Sequence, residues 1–243
     1  MILVALLALA RPIPEDLRFE PWFTERDVAV SIARVPDGIP WVRGVTELPV
    51  SADTVLGVIT DYSHYRELMS PAVKKVTVLE KGPETARLHF VWPYPFPFRN
   101  RDAIVAYREE RRDDGILLVS WQDAARPGDP EEGVRIQRVA GQTRIEPLKP
   151  DRCRVTYTYL GDLGGRFPKT AEETAWRKEP IGYMLALRRR LQLPVPPKSG
   201  RAQGGISHPP LQVEEVFRDV PGRLPINDLC PGSGHPEASQ NAL

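Results

Sequence analysis

Side chains able to do bond chemistry are sparse in this chain, and their spacing assembles no known catalytic device. Four histidines are present. His208 and His235 fall in a stretch rich in proline and glycine, where solvation is expected. His64 sits on a short predicted helix and reads as a surface or capping residue. His89 lies in a predicted strand on the opposite face from Leu88 and Phe90, so it is expected to point to solvent. The two cysteines, Cys153 and Cys230, are far apart and lack metal-ligand spacing. Their pairing would require an exported protein; two unrelated thiols are the plainer reading. The acid pairs Glu109–Glu110 and Glu131–Glu132 are adjacent, and neighbours on a strand face opposite ways, so neither forms a carboxylate dyad. His-Glu-x-x-His, Cys-x-x-Cys, the phosphate-cradling glycine loop and Gly-x-Ser-x-Gly are all missing. The glycine-rich run from Gly161 to Gly165 lacks dinucleotide-binding spacing and reads as a chain reversal. What remains is a tyrosine hydroxyl held among apolar walls, able to serve as a general acid, with Tyr107, Tyr157 and Tyr159 eligible. The expectation is a protein that is not an enzyme and takes neither a metal nor a cofactor.

The elements that carry these residues follow from periodicity. Lys+Arg 33 against Asp+Glu 32 gives a net charge of +1, and hydrophobic and charged contents of 41% and 27% are those of a globular chain. No overall field recruits nucleic acid. Asp27 to Arg34 and Trp41 to Pro49 alternate as a hairpin about Asp37-Gly38. Ser51 caps a helix carrying Val55, Leu56 and Ile59, and a second short helix, Tyr65 to Met69, ends at Pro71. From Val73 the period becomes two. Arg87 to Trp92 places Leu88, Phe90 and Trp92 on one side; Asp102 to Arg112 pairs with Gly115 to Gln122 about Asp113-Asp114-Gly115; Val134 to Pro147 pairs with Arg152 to Asp162. A last helix runs to about Gln192, with Pro180 expected to kink or split it. Arg188, Arg189 and Arg190 read as its solvated end.

One helix laid on a long antiparallel sheet leaves space beneath it. The walls of that space are expected to be Leu88, Phe90, Trp92, Val105, Tyr107, Val119, Trp121, Val155, Tyr157 and Tyr159 from the strands, with Met184 and Leu185 from the helix. An apolar pocket with a few polar groups is a binding site by default. For any single one of these aromatics, filling the core is an equal reading.

Three strings in order then resemble a known family. Trp92 to Asp102, Trp-Pro-Tyr-Pro-Phe-Pro-Phe-Arg-Asn-Arg-Asp, resembles the proline-rich turn ending in Asn-Arg-Asp of START lipid-transfer domains. Arg144 to Leu148 followed by Arg154 to Tyr157 resembles their penultimate hairpin, and Gly164-Gly165 with Pro168-Lys169 resembles their entry into the last helix. The resemblance spans about residues 27 to 192. It implies an α+β helix-grip fold of the SRPBCC superfamily: a curved antiparallel sheet wrapped around a long C-terminal helix, with two short helices after the second strand. It also implies that Asn100, Arg101 and Asp102 are structural, and that the pocket holds a lipid or other apolar small molecule without a cofactor. An aromatase or cyclase using pocket Tyr and Arg residues is the alternative, and an interaction domain with a vestigial pocket is a third.

The expected organisation is residues 1–10 as an apolar export signal or N-terminal segment, 11–26 as a lead-in, 27–193 as the lipid-binding domain, and 194–243 as an irregular tail. Ala8-Leu9-Ala10 looks like a cleavage site, which points to a periplasmic or secreted protein, with a cytoplasmic one as the alternative. The expected partners are a hydrophobic small molecule and, transiently, a membrane. No nucleic acid and no second subunit are expected. Gates are expected at Pro93 to Phe98, Ala124 to Glu132 and Arg166 to Lys169.

Overall fold

A computed structural model describes residues 13–198 except 37, 70–72, 95–97 and 163–168. The export segment, Cys230, His208, His235 and nearly all of the tail therefore lie outside the described residues, as do parts of two expected gates.

Among the described residues, ten strands form one open sheet. They are β1 (Glu20–Glu25), β2 (Val28–Ala33), β3 (Trp41–Leu48), β4 (Lys75–Lys81), β5 (Thr85–Trp92), β6 (Arg101–Arg111), β7 (Leu117–Asp123), β8 (Val134–Arg135), β9 (Val139–Lys149) and β10 (Arg152–Gly161). The order is β1-β2-β3-β10-β9-β7-β6-β5-β4, antiparallel throughout, and β8 adds a short parallel pairing to the start of β6. The expected hairpins are present. Gly115 turns β6 into β7 with φ of +79°, a conformation that favours glycine. The lead-in contributes the edge strand β1.

Helix α1 (Ala52–Ile59) starts at Ser51, whose hydroxyl accepts the Thr54 amide at 3.2 Å, and it buries Val55, Leu56 and Ile59. A 3-10 helix, Tyr62–Glu67, follows and starts three residues earlier than the sequence suggests. His64 is exposed there, and its Nδ1 lies 2.8 Å from Asp61, in keeping with a surface role.

Helix α2 (Lys169–Arg190) is one helix through Pro180, not two pieces. Two contacts explain this. Proline has no amide hydrogen, so the Trp176 carbonyl four residues back loses its helical donor. The Tyr159 hydroxyl supplies one instead, at 2.9 Å. The proline ring also lies on Gly44 of β3, where an added Cβ would stand 2.8 Å from Pro180 Cβ. The sheet therefore compensates for the defect that sequence alone would place in the helix. Tyr159→Phe is expected to cost about 1 kcal/mol by leaving that carbonyl unpaired. It should cost less in a Pro180→Ala background, where residue 180 again donates; urea unfolding of the four proteins measures the difference. At the far end, only Arg189 is exposed. Arg188 is buried, donating to Thr46 Oγ1 and the Glu47 carbonyl, and Arg190 pairs with Asp61 and Glu67. The arginine run is thus a clasp onto β3 and the 3-10 helix.

The two faces of the sheet are covered differently. The inner face meets α1, the 3-10 helix and α2 in one large core. On the outer face, Ala33, Trp41 and Leu160 are covered by Ile13, Leu17 and Phe19 of the lead-in. Further along that face, the chain from residue 124 to 136 crosses β5 and β6. His89 does face away from Leu88 and Phe90, but it is 1% exposed, not solvated, because this segment lies over it.

Candidate functional site

All twelve residues expected to line the pocket join the same core cluster. They divide into two sets. Leu88, Val105, Val119, Val155 and Met184 have at most 3% of their surface exposed and act as packing. Across them runs a band of rings, with Phe90, Tyr107, Trp121, Tyr157 and Tyr159 buried and Trp92 half-buried; the aliphatic Leu185 of α2 is half-buried as well.

The band is continuous. Tyr107 stacks on Trp121 at 6.0 Å between centroids, Trp121 on Tyr157 at 5.3 Å, and Tyr157 on Tyr183 of α2 at 4.1 Å. Trp121 and Tyr157 belong to β7 and β10, which are separated by β9. The indole reaches across because the β9 residue facing it is Gly141, where a Cβ would fall 2.3 Å from the Trp121 ring. At the other end, Tyr65 of the 3-10 helix meets Tyr107 at 5.2 Å and Phe90 at 6.0 Å.

Among the described residues, the polar members of this face include the Glu109 and Glu179 carboxyls, several hydroxyls and the buried guanidinium groups of Arg101 and Arg188. Tyr157 donates to Glu179 Oε1 at 3.4 Å, and Thr143 lies 3.4 Å from the Tyr183 hydroxyl. Burial pushes the hydroxyls of Tyr107, Tyr157 and Tyr159 well up from the ordinary tyrosine value, and that of Tyr183 to about 12. Burial also raises the Glu179 carboxyl. Glu179 nevertheless keeps accessible surface, as does Trp176 one turn before it.

Glu179, Trp176 and Tyr183 were not among the expected lining residues. Their signal was present: 176, 179 and 183 follow the i, i+3, i+7 stripe of one helix face. The expected contribution of the helix to the lining was Met184 and Leu185 alone, because a glutamate reads as solvated.

The outer face carries a second polar cluster, which holds the segment 124–136. Asp102, fully buried, accepts from Arg135 Nε at 3.0 Å and Nη2 at 2.9 Å, from the Glu132 amide at 3.1 Å and from His89 Nε2 at 3.0 Å. Arg87 forks onto Asp129 at 2.8 and 2.9 Å. The segment expected to gate the pocket is thus fastened to the opposite side of the sheet, and it acts as a cover. Asn100 and Arg101 hold the preceding turn: the Asn100 carbonyl accepts the Val134 amide at 2.7 Å, and the Arg101 guanidinium lies 5.4 Å from the Tyr94 ring centroid. Cys153 is a free thiol, fully buried, and burial pushes it to about 11.

One open cleft of about 390 Å³ lies beside the start of α1, lined in part by Asp53, Arg111, Arg112 and Lys149. Four of its ten lining residues are charged and none of the twelve expected residues contributes to it, so it is not the apolar site.

Comparison with known proteins agrees with this fold. The family described as polyketide cyclase / dehydrase and lipid transport matches residues 41–191. A crystal structure of a STAR-related lipid transfer protein fragment from Xanthomonas axonopodis is 26% identical, covers 72% of this chain and 98% of its own, and superposes with a TM-score of 0.64. Human STARD10, at 20% identity, shares the fold with a TM-score of 0.60 over 72% of this chain and 73% of its own. Among curated proteins, the human StAR-related lipid transfer protein 8 is 27% identical over 179 residues, 70% of this chain. The chain spans only 16% of that protein's length and 17% of the mouse counterpart's.

Proposed function

Because this chain belongs to the polyketide cyclase / dehydrase and lipid transport family, we propose that it binds and carries a lipid or other apolar small molecule between the ring band of the sheet and α2, without making or breaking bonds in it. The observation that carries this reading is the ring band: Tyr107, Trp121, Tyr157 and Tyr183 stack in one run between the sheet and α2, with Trp176 and Glu179 of that helix half-buried beside it. It supports an apolar binding surface on the face where the aromatic side chains gather. Burying an alkyl or ring skeleton there yields about 25 cal/mol per Å² of apolar surface, which retains a poorly soluble molecule. Of the expected lining residues, Trp92, Trp121, Tyr157, Tyr159 and Leu185 are the ones we assign to ligand contact, and the buried aliphatic residues to the supporting core.

The cyclase alternative needs a proton donor. Hydroxyls whose pKa lies far above neutrality transfer protons inefficiently at physiological pH, and burial has moved Tyr107, Tyr157 and Tyr159 in that direction. Among the hydroxyls this favours carriage over catalysis; the donor a cyclase would draw on is Glu179, whose carboxyl burial raises.

Native mass spectrometry of the full chain purified from its own host tests the proposal. The expected result is a retained apolar molecule that leaves on denaturation and whose mass stays constant over hours of incubation with the protein. A bound molecule converted to one lighter by the mass of water supports the cyclase reading instead, and a protein that neither retains nor takes up any lipid overturns the carrier.

A further inference from the structure

We infer that the open cleft beside α1 is a second ligand site, sharing no residue with the ring band, and that it takes a small soluble phosphate monoester. The sheet builds its walls. Arg111 at the end of β6 pairs with Leu117 of β7, and Leu117 pairs in turn with Ile145 of β9. Pro147 follows Ile145 on the same face, and Lys149 and Pro150 carry the wall into the turn before β10. Ser51 to Asp53 at the start of α1 form another side, and Arg112 and Gly115 come from the turn between β6 and β7. The volume of about 390 Å³ is that of a site for one small molecule.

The charges of the lining do not balance. Three cations, Arg111, Arg112 and Lys149, face one acid, Asp53, an excess of two positive charges. Arg111 takes up Asp53 at 2.7 Å. Glu110 stands 3.6 Å from Arg112 Nε, too far for a hydrogen bond, and is not part of the lining. Lys149 has no carboxylate partner among the described residues. Ser51 Oγ already holds the Thr54 amide, so the side chains and not the helix end would bind the ligand. A phosphate monoester brings about two negative charges at neutral pH and three acceptor oxygens, one for each cation. A carboxylate or sulfonate neutralises only half of the excess. Leu117, Pro147 and Pro150 offer apolar surface to the organic part. The two turns also carry Asp113, Asp114 and Asp151. A sheet of anionic lipid would meet these acids and be repelled, whereas a small molecule passes between them.

Titration calorimetry of the full chain with phenyl phosphate, benzenesulfonate and phenol tests this, since the three share one ring and differ in charge. Phenyl phosphate is expected to bind about tenfold tighter than benzenesulfonate, and phenol more weakly than either. Arg112→Gln and Lys149→Gln change exposed positions. Each should weaken phenyl phosphate about fivefold while the urea unfolding midpoint stays that of the wild type. Vesicles containing phosphatidate present the same group on a membrane, and they should bind wild type and Lys149→Gln alike. Phenyl phosphate that fails to bind, that binds no tighter than benzenesulfonate, or that binds both variants as it binds wild type overturns the inference. So does vesicle binding that depends on Lys149 when phenyl phosphate does not compete with it, because the site then reads a membrane. The ranking of the three probes on the wild-type protein decides even if a variant does not fold.

Discussion

Asp102→Ala is expected to destabilise the domain by about 3–5 kcal/mol, the range for breaking a buried charged network by removing one partner. The carboxylate is fully buried and accepts four hydrogen bonds, two from Arg135, one from the Glu132 amide and one from His89. Removing it leaves the buried His89 Nε2–H and the Arg135 fork without an acceptor, and it unties the segment 124–136 that shields His89 from water. Asp102→Asn keeps the shape and one acceptor, so its cost should be smaller. The double variant with Arg135→Ala should cost less than the sum of the single changes, because each already breaks the same bond. Urea unfolding measures all three, and limited proteolysis within 124–136 reports whether the cover has come loose. A loss below about 0.5 kcal/mol for Asp102→Ala, the level of an ordinary surface change, would show that the network holds nothing. The pH dependence has a defined sign. Burial alone would raise the Asp102 carboxyl; the bonds from Arg135, the Glu132 amide and His89 outweigh burial and hold it below the usual carboxylate range. Arg87 does the same for Asp129. A depressed carboxyl contributes stability above its unfolded pKa of about 4. That contribution is lost as pH falls below this value through the folded pKa, and it should be missing from the acid unfolding of Asp102→Asn.

This network also marks what local periodicity can and cannot convey. Alternation placed His89 opposite Leu88 and Phe90, and that is where it lies. Whether a face is wet depends on what covers it, and the cover comes from residues 124 to 136, of which the polar part up to Glu132, with Pro127, Gly128 and Pro130, carries only loop signals in sequence. The hairpins, the Ser51 cap and the membership of the inner face were legible because each depends on near neighbours in the chain. Pro180 was misread for the complementary reason. Its local effect is to break a helix, and the two groups that offset it, Gly44 and the Tyr159 hydroxyl, come from distant strands. Glu179 was passed over because a charged residue is solvated unless tertiary structure encloses it. A single-sequence reading has no access to that enclosure, only to the helical stripe it shares with Trp176 and Tyr183.

Gly141→Ala is the second large effect expected, and it separates the ring band from the sheet beneath it. Glycine inside a strand weakens that strand and often marks a close approach. Here the approach is extreme: an added Cβ would lie 2.3 and 2.6 Å from two atoms of the Trp121 indole and 2.5 Å from the Thr158 carbonyl oxygen. The indole could in principle tilt away, but the carbonyl belongs to the paired strand β10 and cannot yield without disturbing the ladder. Overpacking of this kind costs about 3 kcal/mol, at the upper end for an inserted methyl. The functional consequence is distinct from the loss of stability. Trp121 lies across β9 to stack on Tyr157, and Tyr157 in turn contacts Glu179 and Tyr183, so a displaced indole opens the band at its centre. Trp121→Leu, which removes the ring but leaves Gly141 unobstructed, should cost less stability than Gly141→Ala while weakening retention of an apolar ligand to a similar degree. Unfolding midpoints paired with ligand retention in native mass spectrometry measure the two effects separately. If Gly141→Ala lowers stability while Trp121→Leu retains ligand as wild type does, the band is only a structural spine and the bound molecule must rest elsewhere on α2.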